Sequence, residues 1–247
     1  MKKTVLVLTF FVFTTLNLMS ETIKADFKVE FGIFGQIGIA NATLTKEENS
    51  YEIDVELKAT GISKTLSGNR VERHISKGHI ENGMMISDLY QVIKSYKRKT
   101  INKVYTINHE TQTVTKEYKY WKNGKLKKDE HTTLEFYSKD DLLTLYFNLD
   151  EKIVNKQESK SYRFTAVGAE RQSGAVEVVI PEEKELDEFH DALGKNREGW
   201  YARAIIHQDL FSSDKGELLL HIGEDGITEK AVLKDLIFFG DIRATRL

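Results

Sequence analysis

Apolar and polar residues alternate along much of this chain with a period of two, the pattern of a strand with one buried face. Phe27, Val29, Phe31, Ile33, Ile37 and Ile39 carry the pattern, with Lys28, Glu30, Gly32, Gln36 and Gly38 between them. Gly32, Gly35 and Gly38 predict bends or a bulge within that strand, as in a curled sheet. Tyr51, Ile53, Val55, Leu57 and Ala59 repeat the alternation. The polar stretch Lys46-Glu47-Glu48-Asn49 separates the two runs, so they predict an antiparallel pair. Shorter strands are expected near Asn69–Ser76, Met84–Tyr96, Lys103–His109 and Thr113–Trp121. Asn123-Gly124 is a tight hairpin signal that returns the chain into a strand near Leu126–Tyr137. This hairpin is polar on both faces and suits a sheet edge, where lysines oppose pairing with another chain.

At Ser138 the period changes. Leu142, Leu145, Tyr146 and Leu149 follow helical spacing, Ser138 can cap, and Asp140 and Asp141 suit the positive end of a helix dipole. A short helix over Ser138–Leu149 is the expectation. Strand patterns resume at Tyr162–Val167 and Val176–Ile180. Pro181 then opens a second helix, Glu182–Leu193, whose apolar face is Leu186, Phe189 and Leu193 and whose stop is Gly194. Gly199–His207, Glu217–Ile222, Ile227–Lys234 and Leu236–Ile242 close the pattern as strands. No linker, fixed-period repeat or low-complexity tract interrupts it. The fold class is therefore mainly β: one domain of curled antiparallel sheet over residues 21–247, half-barrel or sandwich-like, with two short helices.

The N-terminus is read differently. Met1-Lys2-Lys3 precedes an apolar run from Thr4 to Leu18, and Ser20 is a small residue at its end. This is the layout of a secretory signal peptide, cut after Ser20 or alternatively after Ala25. The run is shorter than the ~20 residues that span a bilayer, and no other segment reaches that length. The chain holds no cysteine. It therefore folds without disulfides, carries no lipid-modified cysteine and has no thiol chemistry.

A net charge of −2 gives no argument for nucleic-acid binding. The charge is unevenly spread. Residues 81–128 hold eleven Lys/Arg against four Asp/Glu, and residues 129–191 hold seven against sixteen. Either neighbouring strands neutralise one another, or a basic face meets anionic envelope material.

Chemical motifs are scarce. The seven histidines form no His-Glu-x-x-His. His74 and His79 could meet across a turn containing Gly78, but nothing nominates a third ligand, so no metal is expected. Gly-x-Ser-x-Gly is absent, and Ser213-Asp214 with His207 or His221 makes a triad only on paper. No carboxylate is singled out for glycoside hydrolysis, and no glycine loop cradles a phosphate. No catalytic residue or cofactor is assigned. The least ordinary patch is Tyr118, Tyr120 and Trp121 among Lys116, Lys122 and Lys125, which could stack on sugar rings or simply pair across strands.

Three segments together resemble the exported bacterial proteins that carry the domain of unknown function 3108. They are the strand from Phe27 to Ala40 with its partner Tyr51–Ala59, the segment Asp140–Leu149, and the ending Ile227–Leu247 with Phe238-Phe239-Gly240-Asp241. The chain departs from that family at Asn148-Leu149-Asp150, where an arginine often follows the helix. The resemblance implies a periplasmic antiparallel fold akin to lipoprotein-carrier half-barrels, and it brings no catalytic residues. The functional expectation is a non-catalytic periplasmic protein that shelters a lipid or other amphipathic envelope molecule. An envelope hydrolase and a glycan-binding module are the alternatives. In the binding reading, Phe31 belongs to an inward apolar set, Phe27 to Ile39, that faces Tyr51, Ile53, Val55 and Leu57 across an apolar groove; where the sheet closes well over them, the same residues are ordinary core.

Overall fold

The computed structural model describes residues 20–170, 173–195, 198–205, 217–236 and 240–247. The signal peptide reading, His207, Ser213-Asp214 and Phe238-Phe239 lie outside them.

Among the described residues fourteen antiparallel strands form one sheet in the order β8-β7-β6-β5-β4-β3-β2-β1-β14-β13-β12-β11-β10-β9. The first meander is β1 (Glu21–Phe31), β2 (Gln36–Lys46), β3 (Ser50–Ala59), β4 (Val71–Glu81), β5 (Met84–Tyr96), β6 (Lys99–Asn108), β7 (Thr113–Lys122) and β8 (Lys125–Thr133). The chain then crosses to the far edge. It returns through β9 (Lys160–Thr165), β10 (Ala175–Ile180), β11 (Trp200–Ile205), β12 (Glu217–Ile222), β13 (Thr228–Leu236) and β14 (Gly240–Arg246). β14 pairs with β1, Phe27 opposite Arg246 and Phe31 opposite Ile242, so the two meanders are joined down the middle of the sheet. β8 and β9 are the edges and do not pair with each other. As its composition suggests, β8 is exposed along its whole length.

The first predicted strand is in fact a hairpin. A 3₁₀ turn over Gly32–Phe34 reverses the chain between β1 and β2. Gly32 and Gly35 have φ of 41° and 65°, a region that glycine enters without steric cost. Phe27↔Ala40 and Val29↔Gly38 are cross-strand partners and share a face. Ile39 pairs instead with Lys28 and Lys58 on the other face. Gly38, Ala40, Ala42 and Leu44 thus share one face of β2 and Ile39 alternates with them, while a register shift between Val29 and Glu30 leaves Ile37 without a partner on β1; Ile37 and Ile39 still border the central cavity.

The segment between the meanders is the plug of the fold. It contains α2 (Leu142–Phe147) and α3 (Leu149–Lys152), shorter than the single helix predicted; α1 (Gly61–Leu66) was not foreseen. Leu145, Leu149 and Ile153 pack with β10, β11 and β12. Leu143 packs with Tyr90, Tyr105 and Val114 of β5, β6 and β7, and also with Leu44, Tyr51 and Ile53 of β2 and β3. Strands this far apart in the sheet can reach one short plug only if the sheet curls around it. α4 (Leu186–Leu193) covers the opposite face, where Phe189 and Leu193 pack on Leu219 and Val232. β12 is thus covered on both sides, which accounts for its uninterrupted Leu218-Leu219-Leu220 run.

Candidate ligand cavity

The curled sheet is not filled by its plug. A cavity of about 550 Å³ lies between the inner faces of β1–β3 and β12–β14, with Leu143, Tyr146 and Phe147 of α2 as one wall. Its origin is the size of the residues on the central strands. Ala25, Gly38, Ala40, Ala42, Ala231 and Ala244 occupy inward wall positions where a large side chain would close the space. Phe27, Val29, Val55, Leu57, Leu218 and Leu233 complete an apolar lining. A Cβ at Gly38 would sit 2.8 Å from the Lys58 carbonyl oxygen, so the glycine also permits the close approach of β2 to β3.

One end of the cavity is polar. Arg70 and Glu72 border it. The Glu72 side chain is 6 % exposed and the Arg70 side chain 47 %. Arg70 Nε donates to Glu72 Oε1 at 2.7 Å, while Lys94 Nζ and His74 Nε2 stand 3.2 and 3.6 Å from Oε2. Burial alone raises the pKa of Glu72, but His74, Lys94 and Arg70 outweigh it and hold the group at about 2. Burial keeps the Lys94 ammonium below its usual value even with Glu72 beside it. At the same end Ile37 accepts from the backbone N–H of Thr60, which leads into α1. Ile62 and Leu66 of α1 are 80 % and 72 % exposed, and Phe34 in the neighbouring turn 56 %.

The plug is held by a buried carboxylate. Asp141, not Ser138, caps α2 and accepts from the Leu143 and Thr144 N–H groups. Its second oxygen accepts from Ser76 at 2.5 Å, Ser87 at 2.6 Å and Thr144 Oγ1 at 3.0 Å. Tyr51 Oη completes the cluster with Ser76 and Thr144. Among the described residues no cationic side chain pairs with Asp141, and burial raises its pKa against the pull of these donors. Nearby, the Asn148 amide bonds both the N–H and C=O of Met85, as a neighbouring strand would. Tyr146 Oη accepts from Thr228 N at 2.9 Å and anchors the other side.

The residues singled out from sequence do not converge. Tyr118 and Tyr120 share one face of β7, opposite Lys103 and Ile101 of β6, while Trp121 falls on the other. Phe31 ends β1, stacked on Phe34 with centroids 5.9 Å apart, and is not among the cavity-lining residues. His74 and His79 lie on one strand with no turn between them: His74 Nδ1 bonds Tyr90 Oη, and His79 faces Asp88. The small residues that create the cavity escaped sequence reasoning because Ala and Gly on a strand read as weak core. The signal available was their clustering at inward positions of β2.

No family model matches the sequence, and no curated protein matches it. The structure is similar to a crystal structure described as a beta-barrel-like protein of domain of unknown function DUF1849 from Brucella abortus. The TM-score is 0.53 at 13 % identity, over 91 % of this chain and 94 % of that one. At this identity the likeness is one of fold: a mainly antiparallel β structure related to a barrel, here with two unpaired edges.

Proposed function

We propose that the protein is a non-catalytic binding or carrier protein of the bacterial periplasm, and that its cavity holds the apolar part of an amphipathic envelope lipid. The observation that carries this reading is the lining: apolar residues from six strands, small ones on β1, β2, β13 and β14, leave the centre of a curled sheet unfilled. The volume is in the range of small-molecule sites, and a few polar groups at one end suit an apolar tail with a polar head. The exposed Ile62, Leu66 and Phe34 beside that end fit uptake from a membrane surface. Among the described residues no helix is long and apolar enough to cross a membrane. Export rests on residues 1–20, and pairing of β1 with β2 from Glu21 onward favours the cut after Ser20. Membership in the 3108 family belongs to the same proposal and rests on the quoted segments.

The test is a fluorescent fatty acid titrated into the purified protein. Saturable binding is expected. Ala40→Phe and Ala244→Phe, which grow into the cavity, should each abolish it while circular dichroism and melting temperature stay unchanged. Binding that persists in both variants overturns the assignment. So does turnover of a chromogenic ester or glycoside that is lost on a single Ser, Asp or Glu substitution.

A further inference from the structure

A second site is formed away from the cavity, where β4, β5 and the end of β6 meet. β4 and β5 lose register between Lys77 and Gly78: Lys77 pairs with Leu89 and Gly78 with Ser87, so Asp88 has no partner across the strand. A bulge of this kind re-aims one side chain out of the regular pleat. Here it turns Asp88 toward two histidines. His79 Nδ1 lies 3.0 Å from both Asp88 oxygens, and His109 Nε2 lies 3.0 Å from Asp88 Oδ1. One donor atom from each of the three residues falls within 4.8 Å of the others.

We propose that His79, Asp88 and His109 form a binding site for a divalent transition-metal ion, with Zn²⁺ as the probe. Two imidazoles and one carboxylate suit Zn²⁺ and its first-row neighbours rather than Mg²⁺ or Ca²⁺. Ligands about 2 Å from a common ion stand roughly 3 Å apart, as Asp88 does from each histidine, and the two histidine nitrogens lie within 4.8 Å of each other. The His109 ring is already oriented: Tyr137 Oη is 2.8 Å from Nδ1, the outer hydrogen bond that metal-binding histidines normally have. Nε2 also faces the Ser87 carbonyl oxygen at 3.0 Å, so without a metal this nitrogen carries the proton and donates to two oxygens. Metal binding requires the proton to sit on Nδ1 instead, with Nδ1–H then donating to Tyr137 Oη. The Asp88 and His79 side chains are 47 % and 43 % exposed, which gives an ion access and leaves room for water in the remaining positions.

A second grouping, Glu117, Asp129 and His131, provides an internal control. It lies on the exposed β7–β8 hairpin, and Glu117 is already engaged by Lys119 at 2.9 Å. Zn²⁺ is titrated into the full chain against a chromophoric chelator. One equivalent should bind tightly, raise the melting temperature and, with Co²⁺ in its place, give visible absorption bands. His79→Ala and Asp88→Asn alter exposed side chains and should keep the fold while weakening binding about tenfold or more. His109→Ala should do the same; if it fails to fold, the His79 variant alone decides. His131→Ala should change nothing. Absence of saturable binding, binding that survives His79→Ala, or binding lost in His131→Ala overturns the proposal.

Discussion

Glu72 shows how much one side chain can hold at the polar end of the cavity. Its pKa lies near 2 in the fold against an ordinary value of 4.5, because the His74 hydrogen bond and the charges of Lys94 and Arg70 outweigh burial. A carboxylate with a depressed folded-state pKa stabilises the fold above its unfolded pKa, and that stability is lost as pH falls toward the folded value. The contribution is on the order of 3 kcal/mol, less what Lys94 gives up to burial. In denaturant titrations the difference between wild type and Glu72→Gln should therefore be largest near neutrality and shrink between pH 5 and pH 2. A difference that stays constant with pH would show that Glu72 acts only by packing. At this scale the sequence was hardest to read. A buried glutamate looks like any other polar position of an alternating strand, and Ala40 or Ala244 gives no sign that the space opposite is empty.

Elements were more legible, and the errors among them have physical causes. β5 fits its expected bounds, and β10 and β12 fall close to theirs, β10 because its alternation is unbroken and β12 because its burial is two-sided. The β1–β2 hairpin was missed because Phe31 and Ile37 keep the same parity across the turn, so the pattern continues while the chain reverses. α1 has no buried residue and hence no apolar periodicity to find. The Asp88 bulge is invisible in one strand alone, since it exists only relative to its partner. That bulge depends on Gly78, where a Cβ would meet the Ile86 carbonyl oxygen at 1.9 Å. Gly78→Ala should destabilise the protein by about 3 kcal/mol or more in urea unfolding, and in whatever folded fraction remains should weaken Zn²⁺ binding as well. The plug gives a second prediction. Asp141→Ala leaves the Ser76 and Ser87 hydroxyls and two helix N–H groups without their acceptor, a loss of about 3 kcal/mol or more. Asp141→Asn keeps one acceptor oxygen and should be milder. Equal stability of Asp141→Ala and wild type would mean that water replaces the carboxylate.

For the whole molecule, the decisive feature is the pairing of β1 with β14 in the middle of the sheet. Among the described strands every other ladder joins neighbours consecutive in the chain; this one joins β1 to β14. Closing so long a loop is slow, and the residues it brings together are those that bound the cavity. Phe27 and Val29 wait on one meander, Ala231, Leu233 and Ala244 on the other. The cavity is thus a late product of folding: until the last strand docks, both walls are water-exposed apolar surface, open to capture by a chaperone or by another unfinished copy. A chain shortened by residues 240–247 should retain hairpins, bind a hydrophobic dye strongly and hold no fatty acid. The molecule encloses its cavity and loses its stickiness in the same event.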